Sequence, residues 1–466
     1  MREQGPPPVN GEPPGVASRG SSGLRRGFEA LGVRNYRLYW TGQVVSLVGT
    51  WMQQVSLPWL VLALGGTPIQ LGFVSVLQFG PAMLLAPFGG VFADRIDKRR
   101  VLIISQTAAA GQALVLFILT ATGIVEIPMV FAMALWLGLV NALDMPARQA
   151  FAADLVPRNL LPNAIALNSM AFNGARVIGP ASAGVIIAAG TAATGSATSG
   201  VAVNLAINTL TYAGVLIGLL LMNPREIRRV RQPEQHPPVL DSLREGFVHA
   251  VQTPMVLWPL VLLAGIAAFG FNFQILLPLF SREVLGLGAE GYGALFAAMG
   301  IGSLTGSLTL AYMRQRRALW LMLGGGTVFT LLLLGIAATR EVVIAAALIM
   351  GAGFSSMLMI NTINATVQAN VTDALRGRVM SFYVTVFAGS APIGGLFAGA
   401  VAEAWGTPAA FLAGATLSAL TLSVVAIGIR RAAGRGALGV TTLDTSGRTP
   451  ASPAPVPDAR GTSASR

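Results

Sequence analysis

Four side chains in one apolar stretch, Gln43, Ser46, Thr50 and Gln54, recur at intervals of three and four residues and therefore share one face of a helix. They are neutral donors and acceptors, able to hold water, hydroxyl, amide or carbonyl groups but not to act as acids or bases near neutral pH. Asn272 and Gln274 form a matching pair further along, and Asn361, Thr362, Asn364, Gln368 and Tyr383 add further neutral polar groups to apolar surroundings. Arg176 stands inside another apolar stretch, 163 to 189. A guanidinium there is costly enough to mark a functional position, one that binds an anionic or carbonyl-rich group or organises neighbours such as Asn141 and Asn173. Structural readings stay open beside these. Arg176 can bond backbone carbonyls or lie shallower, and neutral polar residues can simply join helices to one another. Trp51, Met52, Trp59, Phe271, Phe273, Met357 and Met359 supply either an adaptable apolar wall or ordinary packing.

Chemistry of a covalent kind has few residues to work with. The 466-residue chain has no Cys and two His, which excludes disulfides and thiolate nucleophiles and leaves little scope for a zinc cluster. It contains no Gly-x-x-x-x-Gly-Lys-Ser/Thr loop to cradle ATP phosphates and no Ser, His and Asp constellation. The expectation is a protein that is not an enzyme, with no cofactor and no metal.

The elements that carry these side chains follow from composition. Apolar types make up 53% of the chain and charged types 11%, against about 25% charged in a typical soluble domain. A helix that crosses a bilayer needs about 20 mainly apolar residues. Twelve such stretches can be read: 38 to 64, 69 to 93, 100 to 122, 127 to 147, 163 to 189, 201 to 222, 255 to 280, 290 to 313, 318 to 337, 341 to 366, 377 to 401 and 408 to 430. Backbone groups in lipid must bond within their own segment, and long runs without alternation favour helices over a barrel. The fold class is therefore an all-α polytopic membrane protein of twelve transmembrane helices.

Residues 1–34 read as a disordered N-terminal segment without the apolar core of a signal peptide, so that the first helix serves as the insertion signal. A six-helix bundle over 35–222, a polar linker over 223–254 ending in a short amphipathic segment, a second bundle over 255–432 and a disordered tail over 433–466 complete the expected organisation. If both termini are cytoplasmic, 28 of the 31 cationic residues fall on that side, leaving Arg282 and Arg340 outside and Arg176 within a helix. The net charge of +12 then reads as a topology signal with attraction to anionic lipid, not as a nucleic-acid footprint.

The two halves repeat. Gln54 and Pro58 correspond to Gln274 and Pro278 at an offset of 220, Leu71-Gly72-Phe73 to Tyr292-Gly293-Ala294, and Gly179 and Gly184 to Gly394 and Gly399 at an offset of 215. Two homologous bundles related by an axis along the membrane normal place a binding site at the midplane between them.

After the second stretch the chain reads Gly90-Val91-Phe92-Ala93-Asp94-Arg95-Ile96-Asp97-Lys98-Arg99-Arg100. This resembles the signature loop of the major facilitator superfamily, with Asp97 where many members have Gly. The counterpart loop, Arg314-Gln315-Arg316-Arg317, keeps its cations but lacks the Asp. Asn35 to Trp40, Gly49-Thr50-Trp51-Met52-Gln53, Met145-Pro146-Ala147-Arg148-Gln149 and Asn173 to Pro180 resemble the drug and siderophore exporter branch, the enterobactin exporter-like and macrolide efflux-like proteins. The resemblance implies the major facilitator fold, rocker-switch alternating access and proton-driven efflux of an amphipathic small molecule.

It also implies a conformational latch of Gly90, Asp94, Arg95, Arg99, Asp144 and Arg148. There Asp94 meets the N-terminus of the eleventh helix and Arg95 or Arg99 bridges to Asp144 at the end of the fourth. Gln43, Ser46, Thr50, Gln54, Asn141, Asn173, Arg176, Asn272, Gln274, Asn361 and Asn364 are the expected substrate cavity. No acid lies deep in a span, so Asp144 beside Arg148 is the first candidate proton carrier, Glu403 the second, and partner exchange by Arg176 a third route. The expected partners are a small-molecule substrate, protons and the lipid bilayer, for a monomer in a bacterial-type plasma membrane. Uptake or facilitated diffusion of a small solute, and a membrane sensor or scaffold, stand as alternatives.

Overall fold

The computed structural model describes residues 27–95, 97–227, 239–313 and 318–434, with side chains described except at 86–95, 239–243 and 373–374. Every regular element among them is helical. The first half comprises α1 (Arg34–Ala63), α2 (Pro68–Arg95), α3 (Lys98–Ala121), α4 (Ile127–Leu155), α5 (Leu161–Thr194) and α6 (Ala197–Leu221). A short helix α7 (Val239–Gln252) leads into α8 (Pro254–Phe269) and α9 (Phe273–Leu279), the latter running into a π turn over Phe280–Val284. The second half continues with α10 (Ala289–Tyr312), α11 (Ala318–Ala338), α12 (Val342–Ala369), α13 (Asp373–Trp405) and α14 (Thr407–Gly434).

Local chemistry sets several of these boundaries. The Asp97 carboxylate accepts from the amides of Arg99 and Arg100 and caps α3. Gly195, at φ +74°, ends α5 in the left-handed conformation that only glycine takes without strain. Among the described residues, eleven spans are long and apolar enough to cross a membrane. The expected first span, α1, has the length, at 30 residues, but not the hydropathy, because Gln43, Ser46, Thr50, Gln53 and Gln54 sit within it.

The seventh span departs from expectation. Over 255 to 280 the sequence reads as one apolar run, yet the chain breaks between α8 and α9. Asn272 makes the break tolerable by donating its side-chain amide to the carbonyls of Ala268 (2.9 Å) and Phe269 (3.3 Å). Irregular backbone at membrane depth must be enclosed by protein. The Pro254–Val284 segment meets that condition, 67% of its apolar 18-residue stretch being buried against 28% for that of Arg158–Thr194.

The halves meet along two seams, α2 on α13 and α5 on α10. Helices in lipid gain little from apolar burial and associate by close backbone packing over small residues. A Cβ on Gly72 would stand 2.6 Å from the Gly395 carbonyl oxygen, and one on Gly293 would stand 2.5 Å from that of Pro180. Likewise Gly399 abuts the Pro68 carbonyl and Gly184 that of Ala289. These contacts are repeat images of one another, so the two seams are built alike. Beyond the linker, α7 docks on α13 through a Glu245 to Arg378 ion pair and an edge-on contact of Phe247 with Phe382 at 5.7 Å.

Candidate functional site

Between the seams, α1 faces α9. Gln274 donates to Gln54 at 3.1 Å, and the Arg282 guanidinium bonds the Leu62 carbonyl near the end of α1. Glu403 of α13 accepts from the Ile69 amide in the first turn of α2 at 2.9 Å. A cation at a helix C-terminus and an anion at an N-terminus each complement the helix dipole, so Arg282 and Glu403 bracket the α1 to α2 turn from the other half. Trp59 stacks on Tyr292 at 6.1 Å across the same interface. All these contacts lie at the end opposite the arginine-rich loops, and the seams continue to about mid-depth at Met83 against Gly389 and Arg176 against Gly300.

Toward the basic end the picture changes. Pro180 and Gly184 of α5 are buried against α10, whereas Ile165, Ala166, Ser169 and Phe172, on neighbouring positions of the helix nearer its start, are exposed. The molecule is thus closed at the end opposite the basic loops, with an exposed α5 face toward them.

Within the first half a polar network ties α1, α3, α4 and α6 together. Asp144 is 2% exposed and accepts from Ser105 Oγ (2.7 Å), Gln106 Nε2 (2.8 Å) and Arg148 Nε (2.7 Å). Ser46 Oγ reaches Gln106 at 3.5 Å. One level further, Gln53 bonds Gln112 (2.8 Å) and accepts from Asn208 (2.6 Å), and Asn204 reaches Ser56 and the Met52 carbonyl. The sequence reading missed Gln53, Gln106, Gln112, Asn204 and Asn208. The spacing of Asn204 and Asn208, one helical turn apart in an apolar span, was the available signal.

Several expected placements change. The fourth helix does not end near residue 147 but runs to Leu155, through Pro146, so Asp144 is buried inside the bundle and not at a helix end. Arg99 does not bridge to Asp144. It caps α6 by donating to the carbonyls of Leu219 (2.8 Å) and Leu220 (3.3 Å), and Arg148, four residues on, takes the carboxylate. Gly90, Asp94 and Arg95 lie outside the residues whose side chains are described.

Of the expected cavity, Gln43 is buried with its Nε2 unpartnered and Ser46 joins the Asp144 network. Thr50 bonds back to the Ser46 carbonyl. Asn141 is half-buried on α4. Asn173 donates to the Ser169 carbonyl of its own helix and does not hold Arg176. Asn272 caps the helix break, Asn361 donates to Ser307 at 3.1 Å, and Asn364 accepts from Gln368. Phe273 and Met359 belong to the core of the second half. Arg176 is 8% exposed, its Nε has no acceptor, and its guanidinium carbon lies 5.7 Å from the centre of the Trp51 ring.

Two helical bundles that meet along matched glycine seams, closed at one membrane face around a polar centre, define a polytopic membrane transporter. Residues 26–437 match the family model described as transmembrane secretion effector, and the chain belongs to that family, within the major facilitator superfamily. It is 25% identical over 380 residues to the staphyloferrin A transporter of Staphylococcus aureus (strain NCTC 8325 / PS 47), covering 79% of this chain and 90% of that one. Solved structures with the same fold include an inward-facing bacterial homologue of the lysosomal transporter Spinster (TM-score 0.67, 14% identity, 85% of this chain, 97% of that one). An inward-facing bacterial homologue of ferroportin (TM-score 0.66, 14% identity, 85% and 98%) and the nucleoside transporter NupG (TM-score 0.62, 14% identity, 85% and 99%) share it too. At such identities these structures speak for the fold alone.

Proposed function

We propose that this transporter exports an amphipathic small molecule, such as a drug, macrolide or siderophore-like metabolite, driven by protons. It does so as a monomer, from a bacterial-type plasma membrane with both termini cytoplasmic. The exposed α5 face toward the basic end, opposite a closed far end, gives cargo an opening on that side, and the family's description as a secretion effector is the observation that carries export. Basic loops mark the cytoplasmic side of a plasma membrane, and an exporter loads its cargo there. The family's description as a secretion effector and the siderophore named for the Staphylococcus relative support the same direction and cargo class.

Asp144 is the proton carrier in this reading. It is a buried carboxylate that accepts from Ser105, Gln106 and Arg148, and a path through Gln106 and Ser46 links it to α1, the helix that faces the other half. Asp94 and Arg95 close the basic end in the opposite state, acting as the latch.

Accumulation of a panel of drugs and metabolites, measured in cells lacking their major exporters, tests the proposal. The protein is compared with its Asp94→Asn variant, with and without a protonophore. Lower accumulation that requires both Asp94 and the proton gradient is expected. Higher accumulation with the protein present would reverse the direction and make it an uptake system.

A further inference from the structure

Arg176 is the sixteenth of the 34 residues of α5, in the middle of the membrane-spanning length. Among the described residues its side chain forms no hydrogen bond and no ion pair, and its Nε is fully enclosed without an acceptor. Asp144, Asp154, Glu403 and Glu283 have partners elsewhere in the fold: Arg148, Lys98 at 2.8 Å, the Ile69 amide and Thr407. A guanidinium cannot shed its charge, so a buried one lacks only an anion. The Trp51 ring face stabilises the cation but satisfies none of its N–H groups.

What surrounds Arg176 specifies more than charge. Trp51 makes edge contacts with Phe172 at 5.6 Å and with Phe296 at 6.2 Å. Phe172 is 47% exposed, on the α5 face that opens toward the basic end, while Phe296 comes from α10 of the other half. Gly300, one turn beyond Phe296, brings α10 so close that a Cβ there would stand 3.0 Å from the Arg176 carbonyl oxygen. Cation and aromatic rings therefore converge from both halves at the level where the seam ends.

We propose that Arg176, Trp51 and Phe172, with Phe296 packed behind Trp51, form the receptor for a carboxylate carried on an apolar or aromatic body. The planar carboxylate pairs with the guanidinium fork, and the body lies against the rings. The inference rests on the transport reading and narrows it, because the cargo becomes an organic anion and not a lipophilic cation. Phe296, 1% exposed, packs behind Trp51 from the other half, so the shape of the receptor depends on how the halves meet.

The test uses the purified full chain in phosphatidylcholine nanodiscs, where no lipid offers a net anionic headgroup. Equilibrium dialysis compares 2-naphthoate with the neutral, nearly isosteric 2-naphthamide. Charge-assisted pairing predicts that naphthoate binds about tenfold or more tighter, that Arg176→Gln abolishes the preference, and that Arg176→Lys retains part of it. Equal affinity for the two probes, or no saturable binding of either, overturns the proposal on the unaltered protein, whatever the folding of the variants. A persistent preference in Arg176→Gln that melts like the parent also overturns it. Absence of efflux in cells with the naphthoate preference intact would remove the export reading and leave the anion receptor standing. Efflux of cationic compounds only, unchanged in Arg176→Gln, would do the reverse.

Discussion

Gly72→Ala places one methyl group where α2 crosses α13. The new Cβ stands 2.6 Å from the Gly395 carbonyl oxygen and 3.2 Å from the Leu396 Cα, both backbone atoms that cannot swing aside. Overpacking of this kind costs about 1–3 kcal/mol. In a state that opens this end the two helices separate and the methyl meets nothing, so the cost falls on the closed state alone. The equilibrium therefore moves toward the opposite state by about 5-fold to 150-fold. The chain has no cysteine, so a single reporter can be read without background. Ser75→Cys serves, since Ser75 is 7% exposed and its hydroxyl donates to the Ala391 carbonyl within the seam. Alkylation by a membrane-impermeant maleimide follows the population of the open form when opening is fast. The Ser75→Cys, Gly72→Ala protein should label faster than Ser75→Cys alone by the same factor. An unchanged rate in a protein that melts like its parent would refute the argument that these glycines set the closed state.

Glu403→Gln removes a carboxylate from the first turn of α2, an interaction worth about 0.3–1 kcal/mol, and should raise the same labelling rate about 2-fold to 5-fold. Arg282→Ala should act in the same direction, and a fall in rate for either would separate these side chains from closure. Asp144→Asn should abolish gradient-dependent transport and lower the melting temperature. It leaves Arg148 without its carboxylate; breaking a buried pair costs about 3–5 kcal/mol, moderated here because the Arg148 side chain is 26% exposed. Retained proton-driven transport in that variant would exclude Asp144 as the carrier.

Much of the fold was legible because lipid imposes a simple rule, that each crossing is a long apolar helix. What escaped depends on how helices turn toward one another. Gly270, Phe271 and Asn272 sit in an apolar run and read as continuous helix; only the enclosure around them and the Asn272 caps permit the break. Gln43, Ser46, Thr50 and Gln54 form a stripe by spacing, yet their fates differ: Ser46 turns to α3 and Gln54 to α9. Gln53, one residue off the stripe, is more deeply bonded than any of them. Arg176 stands out in sequence as a charge in lipid. That Asn141 and Asn173 fail to partner it is a matter of rotation about α4 and α5, which spacing along one helix does not encode.

The contacts of Gln54 with Gln274 and of Leu62 with Arg282 each join a position to the one 220 residues later, its own counterpart in the repeat. Only points on a rotation axis can touch their own images, so the pseudo-twofold axis threads between α1 and α9 at both levels. The two levels are eight residues apart, about 12 Å along the helix. If the halves tilt about the glutamine pair, the outer contact travels at the end of a 12 Å arm and parts by about 2 Å for every 10° of relative tilt between the halves. The Arg282 bond breaks within the first few degrees while the amides stay in reach, which makes the glutamine pair a fulcrum and the arginine a trip-wire.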